Sequence, residues 1–337
     1  MIAVLAVDGG NSKTDVVLCD TGGKLLSHVR GPGCSPDSLG VAGSVAVLTA
    51  LVEDARRAAD CRVPVPMGSA AFLLAGVDQQ ERESEMVAAL APYGLADDVM
   101  VSNDTFAVLL AGSPSGSGVA VVCGAGLNAL GVTPDGVVGR YQALGELSGD
   151  WGGGQAVGLA ALGAAIRGQD GLGPATLLTD AVCRHFVVDE PQAVAAAIHE
   201  QRLDAQALVD LAPVVFAAAN AADAVATGLV ERLGDEVAGM AVALMRRLGL
   251  DTQRTCVVLG GGMLQADHAA LIERISTAVV ASAPDAEIRV LDVPPVVGAV
   301  RAALRRVASS SGDIDRAIDR LVKELAGSPR PSEELMP

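Results

Sequence analysis

The sequence predicts an α/β protein of two lobes, each folded around a sheet with flanking helices. Two observations carry that expectation. The 337 residues exceed one ordinary core and suit two lobes of about 100–200 residues each. The opening pattern also recurs. Strand, glycine turn with an Asn just beyond, strand, Asp/Gly turn and strand are read once from residue 2 and again from residue 119. Five elements in one order indicate an internal duplication.

The elements follow in sequence. Residues 2–7 form an apolar strand that ends in Asp8-Gly9-Gly10-Asn11-Ser12-Lys13-Thr14, and residues 15–19 a second strand. The turn Asp20-Thr21-Gly22-Gly23 leads into a third strand over 24–30, so the start reads as an antiparallel meander. A helix is expected from Pro36 to about Asp60, a short strand near 65–69 and a helix over 79–90. Residues 99–101 read as a strand closing at Ser102-Asn103-Asp104, before a short helix. The turn-rich 113–118 marks the lobe boundary. The repeat then supplies strands at 119–123, 127–132 and 137–141, the first two separated by Gly124-Ala125-Gly126. Residues 155–250 are Ala-rich and mainly helical. A buried strand at 256–259 ends in Gly260-Gly261-Gly262, followed by a strand at 288–291 and a helix after Pro295. The expected division is 1–115, 116–310, and a C-terminal helix with a frayed tail over 311–337.

Composition narrows the functions. Half of the residues are hydrophobic but only 2% are aromatic, so the core is built from Ala, Val and Leu. The net charge is −16 and no run of Lys or Arg exceeds a pair, which argues against nucleic acid and anionic membranes as partners. The six cysteines, Cys19, Cys34, Cys61, Cys123, Cys183 and Cys256, are too scattered for a CxxC motif or a disulfide framework. A reducing cytoplasm is expected. The N-terminus lacks the basic start of a signal peptide, and the uncharged stretch 105–134 is broken by Gly, Ser, Pro and Asn.

Several residues are candidates for chemistry. Glycine turns let backbone N–H groups approach an anion closely, and two such turns, one per lobe, would grip a polyphosphate from both sides. Asp8, at a strand end, is suited to hold hydrated Mg²⁺ against phosphate oxygens. No Walker loop and no Rossmann fingerprint is present. Lys13 reads as a phosphate contact or as a solvated turn residue. Asp104 reads equally as the acceptor of a hydroxyl proton or as the cap of the helix begun at Thr105. The stretch 144–154 holds Glu146, Asp150, Trp151 and five glycines, a set that suits polyol recognition or a glycine-rich helix cap. The triple glycine at 260–262 gives a purine or ribose a close approach. The four histidines show no metal spacing.

Taken in order, Asp8–Thr14, 102–105, 123–128, 145–151 and 258–262 resemble the BadF/BadG/BcrA/BcrD ATPase family over roughly residues 2–305. That family includes N-acetylglucosamine kinases and stands with the actin, hexokinase and heat-shock-chaperone ATPases. The resemblance implies an actin-like (ribonuclease H-like) ATPase of two lobes, each with a mixed five-stranded sheet, closing over ATP and Mg²⁺. It implies that Gly9, Gly10, Asn11, Ser12, Lys13 and Thr14 form the first phosphate motif, and Gly124, Ala125, Gly126 and Asn128 the second. Gly260, Gly261 and Gly262 correspond to the adenosine motif, Asp104 to the base for the sugar's 6-hydroxyl, and Glu146 to a sugar-binding Asp. Two segments depart. Cys34-Ser35-Pro36-Asp37 replaces a sugar-binding Asn-His, and Gly139-Arg140-Tyr141-Gln142 replaces Gly-Gly-Trp-Gly. Ser35 and Asp150 join Glu146 and Asp104 as expected substrate residues.

The expected activity is phosphorylation of the 6-hydroxyl of N-acetylglucosamine or glucosamine by a homodimer. The alternatives are an ATPase activator of a 2-hydroxyacyl-CoA dehydratase, for which the isolated cysteines offer no cluster ligands, and a sugar or nucleotide sensor without turnover.

Overall fold

The computed structural model describes residues 3–60, 66–266, 268–308 and 310–328. Cys61, and the parts of expected elements at residues 2, 65 and 329–337, lie outside the described residues.

The strands form where apolar runs meet glycine or Asx turns. β1 (Ala3–Gly9), β2 (Lys13–Asp20) and β3 (Leu25–Pro32) make the expected meander. Val7 pairs with Val16 and Asp8 with Asp15 across β1 and β2, while β4 (Ser69–Leu74) runs parallel to β1 on its other side. β5 (Val99–Asn103) closes the first sheet, whose order is β3-β2-β1-β4-β5. β4 corrects the expectation of a strand at 65–69. Ser69–Leu74 is buried at every position, and such an uninterrupted apolar run carries no alternation to mark it as a strand.

Both faces of this sheet are covered. Leu5, Val7, Leu18 and Phe72 pack with Leu48 and Val52 of α1 (Pro36–Ala58) and Met86 of α2 (Gln80–Leu90). Val4, Ala6, Val17 and Leu73 face Ala107 of α3 (Thr105–Gly112), Val300 of α10 (Val296–Val307) and Ile318 of α11 (Ser311–Gly327). Among the described residues α1 is long and apolar enough to cross a membrane by length and composition, but Val45, Leu48, Leu51 and Val52 belong to this core.

The second sheet contains β6 (Gly118–Cys123), β7 (Leu127–Val132), β8 (Val138–Arg140), β9 (Thr255–Gly260) and β10 (Ala286–Val290), in the order β10-β9-β6-β7-β8. Read from its other edge, this is the order of the first sheet, strand for strand. The helices α4 (Gly153–Gln169), α5 (Leu178–Phe186), α6 (Pro191–His199), α7 (Ala212–Asn220) and α8 (Ala224–Leu248) fill the Ala-rich stretch, and α9 (Ala269–Ser282) joins β9 to β10.

The chain divides into two compact units. One comprises residues 1–120, 132–142 and 291–337, the other 121–131 and 143–290. The expected division was contiguous. The packing returns the C-terminal helices to the first unit, because the apolar faces of α10 and α11 lie on the first sheet.

Candidate active site

In the first unit, the Gly9–Thr14 turn is held by backbone bonds. Gly10 N–H donates to Lys13 O at 2.8 Å, Cys34 N–H to Gly10 O at 3.1 Å, and Ala75 N–H to Gly9 O at 2.7 Å. Asn11, Ser12 and Lys13 are exposed, while Thr14 is buried with its hydroxyl on Pro32 O at 2.7 Å.

Asp8 sits one residue before the end of β1 and is half-buried. Its carboxyl pKa is raised to about 8, chiefly by burial, then by the charges of Asp104 and Asp15, against a weaker pull from Lys13 and Arg30. Asp15, the cross-strand partner, is held below the usual carboxylate range although burial opposes it. His28 Nε2 lies 2.8 Å from one oxygen, and the Arg30 guanidinium donates to both at 3.0 Å.

Asp104 follows β5 and precedes α3. Its pKa is raised to about 7, mainly by burial and then by Asp78, with the nearby amides of Thr105 and Asp104 pulling it back. Its side chain makes no capping bond to α3; the Thr105 N–H donates to Asn103 Oδ1 at 2.9 Å instead. Of the two readings open at the level of sequence, the helix-capping role therefore belongs to Asn103. The coulombic coupling between Asp8 and Asp104 brings the first motif and the strand-end carboxylate into one electrostatic cluster.

Ser35, the residue before α1, is 2% exposed, and its hydroxyl has no hydrogen-bond partner. The sulfur of neighbouring Cys34 feels the charges of Asp8 and Asp104, and its pKa is raised to about 11, first by burial.

In the second unit, three glycine segments converge. Gly154 N–H donates to Gly124 O at 2.8 Å and Gln155 N–H to Ala125 O at 2.9 Å, so the start of α4 is bolted to the second turn. Gly261 adopts φ +89°, and a Cβ there would lie 2.4 Å from Cys123 O, which also accepts from Met263 N–H at 3.1 Å. Gly124–Gly126 and Gly260–Gly262 are thus neighbours. Asn128 is half-buried, and its Oδ1 accepts from Ala129 N–H at 2.8 Å.

The Gly-rich loop divides its residues between two tasks. Asp150 accepts from Gly145 N–H at 2.9 Å and from the Ser148 hydroxyl at 2.5 Å, so it closes the loop on itself. Glu146 is exposed. Trp151 is 7% exposed, with the Arg232 guanidinium 3.8 Å from its ring centroid. Sequence reasoning missed Asp78, which binds Asn103, and Glu83, which pairs with Arg140 of the departing 139–142 segment. The signal for Asp78 was a polar residue in the Gly76–Gln79 turn just before α2. Among the described residues no group of three or more His, Cys, Asp and Glu is arranged to hold a metal ion.

Two sheets of one strand order, with glycine turns closing β1 and β6, define an actin-like ATPase fold. The chain belongs to the BadF/BadG/BcrA/BcrD ATPase family, which it matches over residues 5–305. It is 25% identical to the N-acetyl-D-glucosamine kinase of Dictyostelium discoideum over 89% of this chain and 97% of that one. It is 22% identical to an N-acetylmuramic acid/N-acetylglucosamine kinase of Clostridium acetobutylicum, covering 77% of this chain and 85% of that one. A Chromobacterium violaceum structure named as a candidate N-acetylglucosamine kinase superposes with a TM-score of 0.64 at 24% identity, covering 95% and 99% of the two chains.

Proposed function

We propose that this protein is an ATP-dependent kinase that phosphorylates the 6-hydroxyl of N-acetylglucosamine or glucosamine. The observation that carries the reading is Asp104, a strand-end carboxylate left uncapped beside Asp8, with a pKa near 7. A base that titrates close to working pH is matched to taking a hydroxyl proton. Membership of the ATPase family and two curated relatives named as N-acetylglucosamine kinases support the phosphoryl donor and the acceptor class.

Asp104 orients the acceptor hydroxyl and takes its proton as the oxygen bonds to the γ-phosphorus and ADP departs. The turn Gly9–Thr14 offers backbone N–H groups to phosphate oxygens, and so does the turn Gly124–Asn128. Gly260–Gly262 leaves room for the adenosine. Glu146, exposed on its loop, and Ser35, with an unsatisfied buried hydroxyl, are the proposed sugar contacts. Asp8 fits Mg²⁺ as its one protein ligand. It is a hard oxygen donor whose pKa is raised chiefly by burial and then by the charges of Asp104 and Asp15, so a nearby cation would favour its ionised form, and Mg²⁺ keeps most of its waters and adds phosphate oxygens. Bound there, the cation would neutralise phosphate charge.

A coupled ADP-release assay over hexosamines, hexoses and N-acetylated sugars tests the proposal, with an amino sugar expected to give the highest kcat/KM. Asp104→Asn is expected to lower turnover by about 10²-fold or more while nucleotide binding is retained. Normal turnover in that variant would remove Asp104 as the base. A cytoplasmic homodimer completes the proposal, and light scattering on the purified protein reads its mass.

A further inference from the structure

Asp104 stands at the residue before α3 with helical backbone angles, φ −63° and ψ −23°, so the cap of the helix falls one residue earlier, on Asn103. The Thr105 N–H and the Thr105 hydroxyl both donate to Asn103 Oδ1. Asn103 is 3% exposed, and the other half of its amide is also fixed, with Nδ2 donating to Asp78 Oδ1 at 2.8 Å. That bond decides which way the amide faces. Flipped, it would set a second donor against the Thr105 N–H.

The arrangement is anchored further out, still within the first unit. Arg140 Nη1 donates to Glu83 Oε1 at 2.8 Å and approaches Asp78 O at 3.4 Å. Glu83 Oε1 also accepts from the Ser102 hydroxyl at 2.8 Å, and the Arg140 guanidinium lies 5.1 Å from the centre of the Phe106 ring. Ser102, Asn103, Thr105 and Phe106, the neighbours of Asp104 on both sides, are therefore each tied down. The carboxylate between them is left out of the helix cap.

We infer that the Asp78–Asn103 bridge, backed by Arg140 and Glu83, is a positioning device that fixes the N-terminus of α3 and with it the backbone that presents the Asp104 carboxylate to the acceptor hydroxyl. The inference rests on the kinase reading for what Asp104 does there. The bridge itself stands on hydrogen bonds alone.

Asn103→Leu removes the cap. In its crystal structure the first turn of α3 is expected to shift and to carry the Asp104 carboxylate by about 1 Å or more. Turnover should fall by about tenfold or more with the KM for ATP changed less than about twofold, because positioning and not nucleotide binding is lost. Asn103 is buried, so a conservative pair guards against a folding failure. Asn103→Asp keeps the capping oxygen but opposes Asp78 with a like charge, and should lose turnover. Adding Asp78→Asn reverses donor and acceptor and should restore kcat to within about threefold of wild type. An Asn103→Leu structure with Asp104 unmoved would overturn the inference, as would a double variant no faster than Asn103→Asp. The kinase reading fails separately, if the wild-type protein releases no ADP with any amino sugar, and the crystal structure then still decides whether the bridge holds Asp104 in place.

Discussion

Replacing Asp8 by Asn exchanges a carboxyl that is costly to ionise for a neutral group of the same shape. The folded-state pKa of Asp8 is about 8 against an ordinary 3.8. Between those values the folded chain holds a proton that the unfolded chain has released, so stability falls as pH rises, by about 1.4 kcal/mol per pH unit. The contribution is whole below the unfolded pKa and is lost as pH climbs through the folded one. Asp104, raised to about 7, acts with the same sign over its own range. Going from about pH 5.5 to about pH 7.5, Asp8 alone should cost about 3 kcal/mol. Urea unfolding of the wild type and Asp8→Asn at both pH values reads this directly. The Asn variant is expected to gain about 3 kcal/mol on the wild type over that interval, in the absence of divalent cations. Asp15 and Asp98 have lowered pKa values, so their contribution is lost only as pH falls below this window, and it cancels in the difference. Equal pH slopes in the two proteins would refute the burial argument for Asp8.

Three further outcomes are expected. EDTA should abolish ADP release and Mg²⁺ restore it; turnover that persists in EDTA would take Asp8 out of its proposed role. Gly261→Ala must put a Cβ 2.4 Å from Cys123 O at φ +89°, and should weaken nucleotide binding at least tenfold in calorimetry or lower the melting temperature of the second unit. Gly298→Ala places a Cβ 1.9 Å from Ala107 O, where α10 crosses α3, and should cost about 1–3 kcal/mol or more in urea unfolding. A Gly298→Ala protein as stable as the wild type would mean that those helices are free to part.

What the sequence made legible was whatever a local pattern records. The meander β1-β2-β3 and its repeat were readable because Gly and Asx turns punctuate the strands, and the long helices because their apolar positions recur. β4 was misplaced because its boundaries depend on a sheet assembled from distant segments, in which every position of Ser69–Leu74 is buried. The same limit governs the candidate site. Asp8 and Asp104 announce themselves at strand ends, but Asp78 reaches Asn103 across 25 positions and Arg140 reaches Glu83 across 57. No spacing rule links residues that far apart. The bonds of Asp150 to Gly145 and Ser148 were hidden for the opposite reason, since partners so near leave a loop carboxylate looking isolated in the sequence.

The repeated strand order also shows where the two units differ. Asp8 and Cys123 are equivalent, each closing an apolar strand one residue before the first glycine of its turn. In the first unit that position holds a carboxylate with Asp15 opposite and Asp104 nearby. In the second it holds a buried thiol, its sulfur 3.7 Å from Met263 Sδ, with its carbonyl pressed by Gly261. One copy has concentrated ionisable groups whose charge a cation or a reacting hydroxyl can use. The other has replaced charge with bare backbone, which approaches a phosphate or a ribose more closely than any side chain allows. Cys123→Asp therefore offers a sharp test of this division. It would bury a carboxylate beside Met263 with the Gly153 N–H as its backbone donor, and should destabilise the second unit above neutral pH more than Cys123→Ala does. Equal stability of those two variants in urea at about pH 8 would show that the second strand end tolerates charge as readily as the first.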